Sequence, residues 1–405
     1  MKSPFKDRPI PPLRRDIELI PITDDGQELI YVYDSMQYVE QGFALDQSVA
    51  PILSLLTGTA TVQSISKALN GQLETEDLEQ FFHFLDEHLL LDSTRFRTLA
   101  RQVEERYEKK AARPLAFAGQ SYPADREEFK AFQHGYFDQL PLPERSNLFA
   151  LYAPHIDLKL GKESYRRAFA HLHHTKPERV VILATSHYAG MYPETYNHNP
   201  FIGTYKNFKL PGRTIYTDKN AIHALAGKSD ELGFTTHDRA HRIEHSIELH
   251  LALATHFWPH DFTLVPILVG SFDELLYADQ GDLHSKVDAF GRELATLDDG
   301  KTFFLISGDL SHIGRKFGDQ IPADQMKEDV QNFDQTFLTL SRENRPGAIV
   351  DLMKEEYDPY RICGFPPLYT FLNAFPSTLG SVIHYDWWDE AERESAVSFA
   401  AISYS

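Results

Sequence analysis

Residues 179–187 read RVVILATSH, an unbroken apolar run that ends abruptly on Thr185, Ser186 and His187. A run this short and this apolar fits a strand buried on both faces, as in a sheet covered by helices. Two more stretches share the pattern. Residues 148–157, LFALYAPHID, pass from an apolar run to His155 and Asp157. Residues 302–312, TFFLISGDLSH, pass from one to Asp309 and His312. In open α/β sheets, ligands bind outside the carboxyl ends of the strands. Three such ends carrying imidazole or carboxylate predict one pocket assembled from distant sequence. Read alone, each of these His is an ordinary satisfied polar residue.

Working outward, further strands are predicted at 263–269, 381–385 and 396–402. Helices are predicted at 162–173, 240–257, 273–297, 323–342, 346–355 and 366–375. Strands alternating with helices predict an α/β layered domain over 147–405. Upstream, Ile17–Tyr33 carries an Asp24-Asp25-Gly26 turn signal and reads as a hairpin. Helices are expected at 48–56, 64–69 and 76–91, so residues 1–92 form a small α+β unit. Residues 1–16 are a charged, Pro-rich lead-in, expected to be extended and mobile. Residues 93–146 are expected as a charged helical linker, with the run RQVEERYEKKAARP (101–114) as a solvated helix face.

Composition narrows the function. The 405 residues hold 40 Lys+Arg against 59 Asp+Glu, a formal net charge of −19. Such a chain repels phosphate backbones, so nucleic acid is not an expected partner. No apolar run approaches the length of a membrane helix, and the first residues lack the apolar core of a secretion signal. Cys363 is the single Cys. With no internal disulfide available, a reducing, cytoplasmic setting is expected.

Cys363 stands in ICGFPP, just before a predicted helix whose N-terminus would favour its thiolate. Two imidazoles and a thiolate make a first-row transition-metal donor set. A competing motif is His241-Arg-Ile-Glu244-His245, the H-x-x-E-H pattern of inverted zinc peptidases, which needs both His on one helix face. Tyr188, Tyr192 and Tyr196 would line a pocket mouth or pack as ordinary loop aromatics. Trp387 and Trp388 read as packing residues.

The segments APHIDLKLGKESYRRAF, VVILATSHY, EHSIELHL, LVPILVG, ISGDLSHIG and CGFPPL stand in the order and spacing of the Memo-like family. Its bacterial members are called AmmeMemoRadiSam system protein B. The resemblance covers roughly 147–405. It departs only mildly, with Ala184 where Gly is common and CGFPPL for C-G-x-x-P-I. It implies an α/β sandwich around a mixed sheet, akin to the class III extradiol dioxygenases. It implies a mononuclear iron or copper ion held by His155, His187 and Cys363, with Asp309, His312 and His245 as the remaining, proton-handling pocket residues. No nucleotide cofactor is implied. A radical-SAM protein and an AMMECR-type protein are the partners implied. Residues 43–71 and 78–92 resemble PqqD-like winged-helix domains, which bind peptides. The expectation is a metal-dependent, dioxygenase-like oxidoreductase acting on a peptide. The alternative is a metal-carrying or peptide-binding accessory protein without turnover, since eukaryotic members are linked to phosphopeptide binding.

Overall fold

Asp25 and Gly26 both take positive φ, 47° and 78°. Two consecutive left-handed residues give the turn whose twist matches paired antiparallel strands. The turn joins β1 (Ile17–Asp24) to β2 (Gln27–Asp34), in register from Ile17↔Asp34 to Asp24↔Gln27. A short β3 (Phe43–Asp46) completes a three-stranded antiparallel sheet. The computed structural model describes residues 5, 8–39, 43–144, 147–278, 280–355 and 357–405. The chain divides into two units, residues 1–109 and 110–405.

In the first unit, α1 (Ala50–Ser54), α2 (Val62–Ala68) and α3 (Thr75–Glu87) follow the sheet. Thr61 and Ser64 form a reciprocal capping box at the start of α2, which satisfies two otherwise unpaired N–H groups. Leu78, Phe82 and Leu85 of α3 meet Ile30 and Val32 of β2 in one core. The described part of the lead-in corrects the expectation of mobility. Ile10 is fully buried and donates its N–H to Ala60 O, and Arg14 pairs with Asp16 and Asp34. The rest of the lead-in, residues 1–4, 6 and 7, lies outside the described residues.

The range expected as a linker is shared between the units. Its first part is α4 (Thr94–Glu108), held in the first unit by buried Phe96 and Tyr107 and by a bond from Tyr38 to Glu104. Its second part belongs to the other unit. Ala112–Arg113 pairs with Asn207–Phe208, and α5 (Arg126–Tyr136) follows.

The second unit is built on a twelve-stranded mixed sheet. Its centre holds β4 (Ala150–Ala153), β5 (Arg179–Thr185), β6 (Thr263–Val269) and β7 (Thr302–Ser307). Neighbours run in the order β4-β7-β5-β6, all parallel. β9 (Ser395–Tyr404) pairs antiparallel with β4, and β8 (Gly380–Glu390) with β9. The four central strands are buried almost throughout, which is why they read as continuous apolar runs. Helices include α6 (Lys162–Ala170), α7 (His245–Phe257), α8 (Leu283–Ala295), α9 (Lys327–Arg342) and α10 (Phe365–Ala374). Phe365, Leu368 and Leu372 of α10 share a core with Val181 and Leu183 of β5. The expected α/β layering with a mixed central sheet is what the structure shows. The helix expected over 273–297 is two, Asp273–Tyr277 and Leu283–Ala295, with residue 279 outside the described residues. No helix among the described residues is long and apolar enough to cross a membrane.

Candidate metal centre

Register sets the site. Ser307 at the end of β7 lies opposite Ala153 of β4 and Ala184 of β5. Three adjacent parallel strands therefore stop at one level. The next residues, Pro154-His155, Ser186-His187 and Gly308-Asp309, leave the sheet side by side. The His155 and His187 rings lie 4.8 Å apart between centroids.

The Cys363 loop reaches this edge because two glycines meet there. A Cβ on Gly308 would stand 2.2 Å from Gly364 Cα, and one on Gly364 would stand 2.2 Å from Tyr152 Oη. Any larger residue at either place would force the loops apart. The approach is fixed by Gly364 N–H donating to Asp309 O (2.9 Å), Thr185 Oγ1 donating to Cys363 O (2.7 Å) and Asp309 N–H donating to Cys363 Sγ (3.3 Å). Cys363 Sγ lies 3.3 Å from His155 Nε2.

One ligand atom each from His155, His187 and Cys363 lies within 4.8 Å of the others, as does each atom of two overlapping trios, His187/Glu244/His245 and Asp309/His312/Cys363. The imidazoles are oriented from behind. Ser307 Oγ donates to Ser246 O (2.8 Å), so at 3.3 Å from His155 Nδ1 it serves as acceptor for that ring N–H. His187 Nδ1 donates to Glu244 Oε1 (2.9 Å). His312 Nδ1 donates to the carbonyls of Leu310 and Arg361. In each ring the Nδ1 side is tied and Nε2 remains. Metal-binding His rings are normally held in this way. The donor set thus fits a thiolate-tolerant transition metal such as iron or copper.

Electrostatics divide the cluster. Burial, joined by repulsion from His187, drives His155 well below its usual value and His245 and His312 down to about 4. These three are neutral at pH 7. His187 is the exception. Desolvation works against its charge, but Glu244 raises it well above the usual value. Burial opposes ionisation of Glu244 as well, yet His187 holds it down at about 2. Asp309 is pushed up to about 7 by burial, against the N–H groups of His155 and Ile156 that it accepts. Burial also raises the Cys363 thiol, with His187 pulling the other way. Burial thus opposes the thiolate that the helix start was expected to favour. In the metal-free protein the thiol is retained.

The H-x-x-E-H reading fails on geometry. α7 begins at His245, with Glu244 as its N-cap, and His241 lies in the preceding turn. His241 donates Nε2–H to Ile202 O (2.9 Å) and shares no trio with His245. The two His are not on one helix face. Tyr192 and Tyr196 are buried packing residues, while Tyr188 is half-buried with its ring 6.4 Å from that of His187. Trp387 and Trp388 lie on β8, with Lys327 and Lys316 over their rings. Glu244, Ser307 and Ser246 carry orienting roles that sequence reasoning did not assign. Glu is an uncommon N-cap, so nothing in E-H-S marks Glu244 as the start of a helix.

The sequence matches the family described as "Memo-like protein" over residues 113–403. A MEMO1 family protein of Aquifex aeolicus is 25% identical over 375 residues, 90% of this chain and 93% of its own. That span is longer than the second unit and so takes in part of the first. Protein MEMO1 of Xenopus laevis is 25% identical over 275 residues, 66% of this chain and 85% of its own. A crystal structure of an uncharacterized Escherichia coli protein covers 64% of this chain and 99% of its own, at 13% identity. Its TM-score is 0.31, too low to speak to the fold.

Proposed function

The chain belongs to the Memo-like protein family, and on that premise we propose that its second unit is a metal-dependent redox centre in which His155, His187 and Cys363 hold one iron or copper ion. The observation that carries this reading is the trio of ligand atoms within 4.8 Å, two of them on rings tied from behind at Nδ1. When bound, the ion would supply one-electron redox chemistry, and a soft thiolate ligand favours copper(I) or shifts the iron potential.

The protein's own groups handle orientation and protons. Glu244 fixes the His187 ring. Asp309 titrates near neutrality, and its Oδ2 lies 3.7 Å from His155 Nε2, so it holds or releases a proton beside the ligands. His245 and His312 are neutral imidazoles able to accept one. In this reading the unit is kin to the class III extradiol dioxygenases, with Cys363 in place of their carboxylate. A radical-SAM protein and an AMMECR-type protein act with it, and residues 1–92, as a PqqD-like unit, bring a peptide. A reducing cytoplasm suits a lone thiol ligand.

The near-complete burial of His155, 2% exposed, favours a second reading, a metal-carrying or peptide-binding accessory protein without turnover. Both readings expect weaker copper(I) and iron(II) binding in Cys363→Ala during anaerobic titration. Unchanged stoichiometry and affinity in that variant would remove Cys363 from the centre. Oxygen uptake by the iron-loaded protein in the presence of peptide separates turnover from carriage.

A further inference from the structure

A buried ion pair stands directly behind the proposed centre. Arg113 and Glu248 are each 1% exposed and form a salt bridge. The rest of the Arg113 fork is committed to one turn of chain. Its Nε donates to His241 O (2.5 Å) and its Nη2 to Glu244 O (2.5 Å). Glu248, one turn into α7, accepts from the N–H groups of Ala116 (3.1 Å) and Phe117 (2.9 Å) and from Tyr122 Oη (2.5 Å). One pair thus ties the strap 113–122 to the turn 241–244.

Desolvating two charges is costly, and only a full set of hydrogen bonds in one geometry offsets it. A guanidinium is planar, so its acceptors lie in a fixed fork. The turn it grips is therefore set in place by more contacts than its own backbone supplies. That turn ends in Glu244, whose carboxylate accepts from both the backbone N–H (2.8 Å) and Nδ1 (2.9 Å) of His187. The strap also sets the Phe117 ring 5.7 Å from that of His245.

We propose that Arg113, Glu248 and Tyr122 are positioning residues for the metal centre: their cluster locks the 241–244 turn so that Glu244 grips His187 at Nδ1 and aims Nε2 at the ion. This rests on the metal reading of His187. None of the three touches the ligand atoms; each acts through Glu244.

The test uses the full chain, cobalt(II) as probe, and two variants, Glu248→Gln and the milder Tyr122→Phe, which keeps every charge. Two readouts are followed. One is cobalt(II) affinity by chelator competition, with the cobalt–thiolate absorption band recorded. The other is the downfield proton resonance of His187 Nδ1–H in the metal-free protein. Expected in Tyr122→Phe is a loss of about tenfold in affinity with an altered band, and in Glu248→Gln a loss nearer a hundredfold, the range seen when groups behind a metal ligand are changed. The Nδ1–H resonance broadens or disappears in both. If both variants fold, bind cobalt(II) with wild-type affinity and band, and keep the resonance, the cluster is structural only and the proposal is overturned. Failure of the metal reading looks different. Wild type would then bind no cobalt(II), while loss of the resonance in the variants would still support the positioning role and its persistence would overturn it.

Discussion

Arg14 and Arg113 invite comparison because each is a buried guanidinium handed to carboxylates. Arg14, in the first unit, pairs with Asp16 and Asp34, donates to Leu89 O (2.9 Å) and lies 4.0 Å over the Phe96 ring. It staples lead-in, hairpin and α4, and neither of its carboxylates belongs to a His/Cys trio among the described residues. Arg113, in the second unit, makes the same kind of contacts, but one of its acceptors is the carbonyl of Glu244, the residue that holds His187. The two differ not in chemistry but in what their partners touch. Burial and pairing therefore report stability in both units, and function only where a partner leads to the centre.

The largest expected effect tests that contrast directly. Arg14→Met and Arg113→Met each leave a buried carboxylate without its cation, and each should cost about 3–5 kcal/mol in urea unfolding. Only Arg113→Met should also lower metal retention. A comparable metal loss in Arg14→Met would break the contrast.

Asp334 sharpens it from the other side, as a fully buried carboxylate that accepts from three hydroxyls, Ser311 (2.7 Å), Ser398 (2.5 Å) and Tyr385 (2.9 Å). Burial pushes it up to about 6 from 3.8, with those hydroxyls pulling the other way. A folded value above the unfolded one favours the folded state fully below pH 3.8, and that contribution is lost as pH rises through 6. The loss should amount to roughly 3 kcal/mol. The slope of stability against pH across this window should therefore be more negative in the wild type than in Asp334→Asn; an equal slope in both would dismiss this group as the cause.

A smaller effect is expected in Glu244→Gln, which keeps the shape but weakens the grip on His187. Metal affinity should drop by about ten- to a hundredfold in chelator competition. Smallest is Phe117→Leu, which removes an aromatic contact with His245 worth about 1 kcal/mol. Its unfolding midpoint should shift slightly while metal affinity stays within a factor of about three.

The sequence was most legible where burial is symmetric. β5, β6 and β7 were anticipated at 179–185, 263–269 and 302–307 because strands covered on both faces leave uninterrupted apolar runs. His155, His187 and Asp309 were legible as a group because polar residues just beyond such runs fall at one sheet edge, and Cys363 was legible from its place just before a helix start. The short pieces over 201–217 were missed, since strands of three to five residues show too little period to be read. The strap was missed for a different reason. Arg113 closes a run read as a solvated helix face, yet it is 1% exposed, because its carboxylate partner lies 135 residues away. Composition sees the charge and not the distant group that neutralises it. The helix start before His245 was placed too early, at 240, because the turn of Arg239–His241 mimics another helical turn in sequence.

The most direct test of the whole account is elemental analysis of anaerobically purified protein, wild type beside His187→Ala. The account predicts about one iron or copper per chain in the wild type and its loss in the variant, the ratio expected for a single His-His-Cys centre. A wild-type protein that carries no transition metal, and takes up none on anaerobic reconstitution, would contradict it.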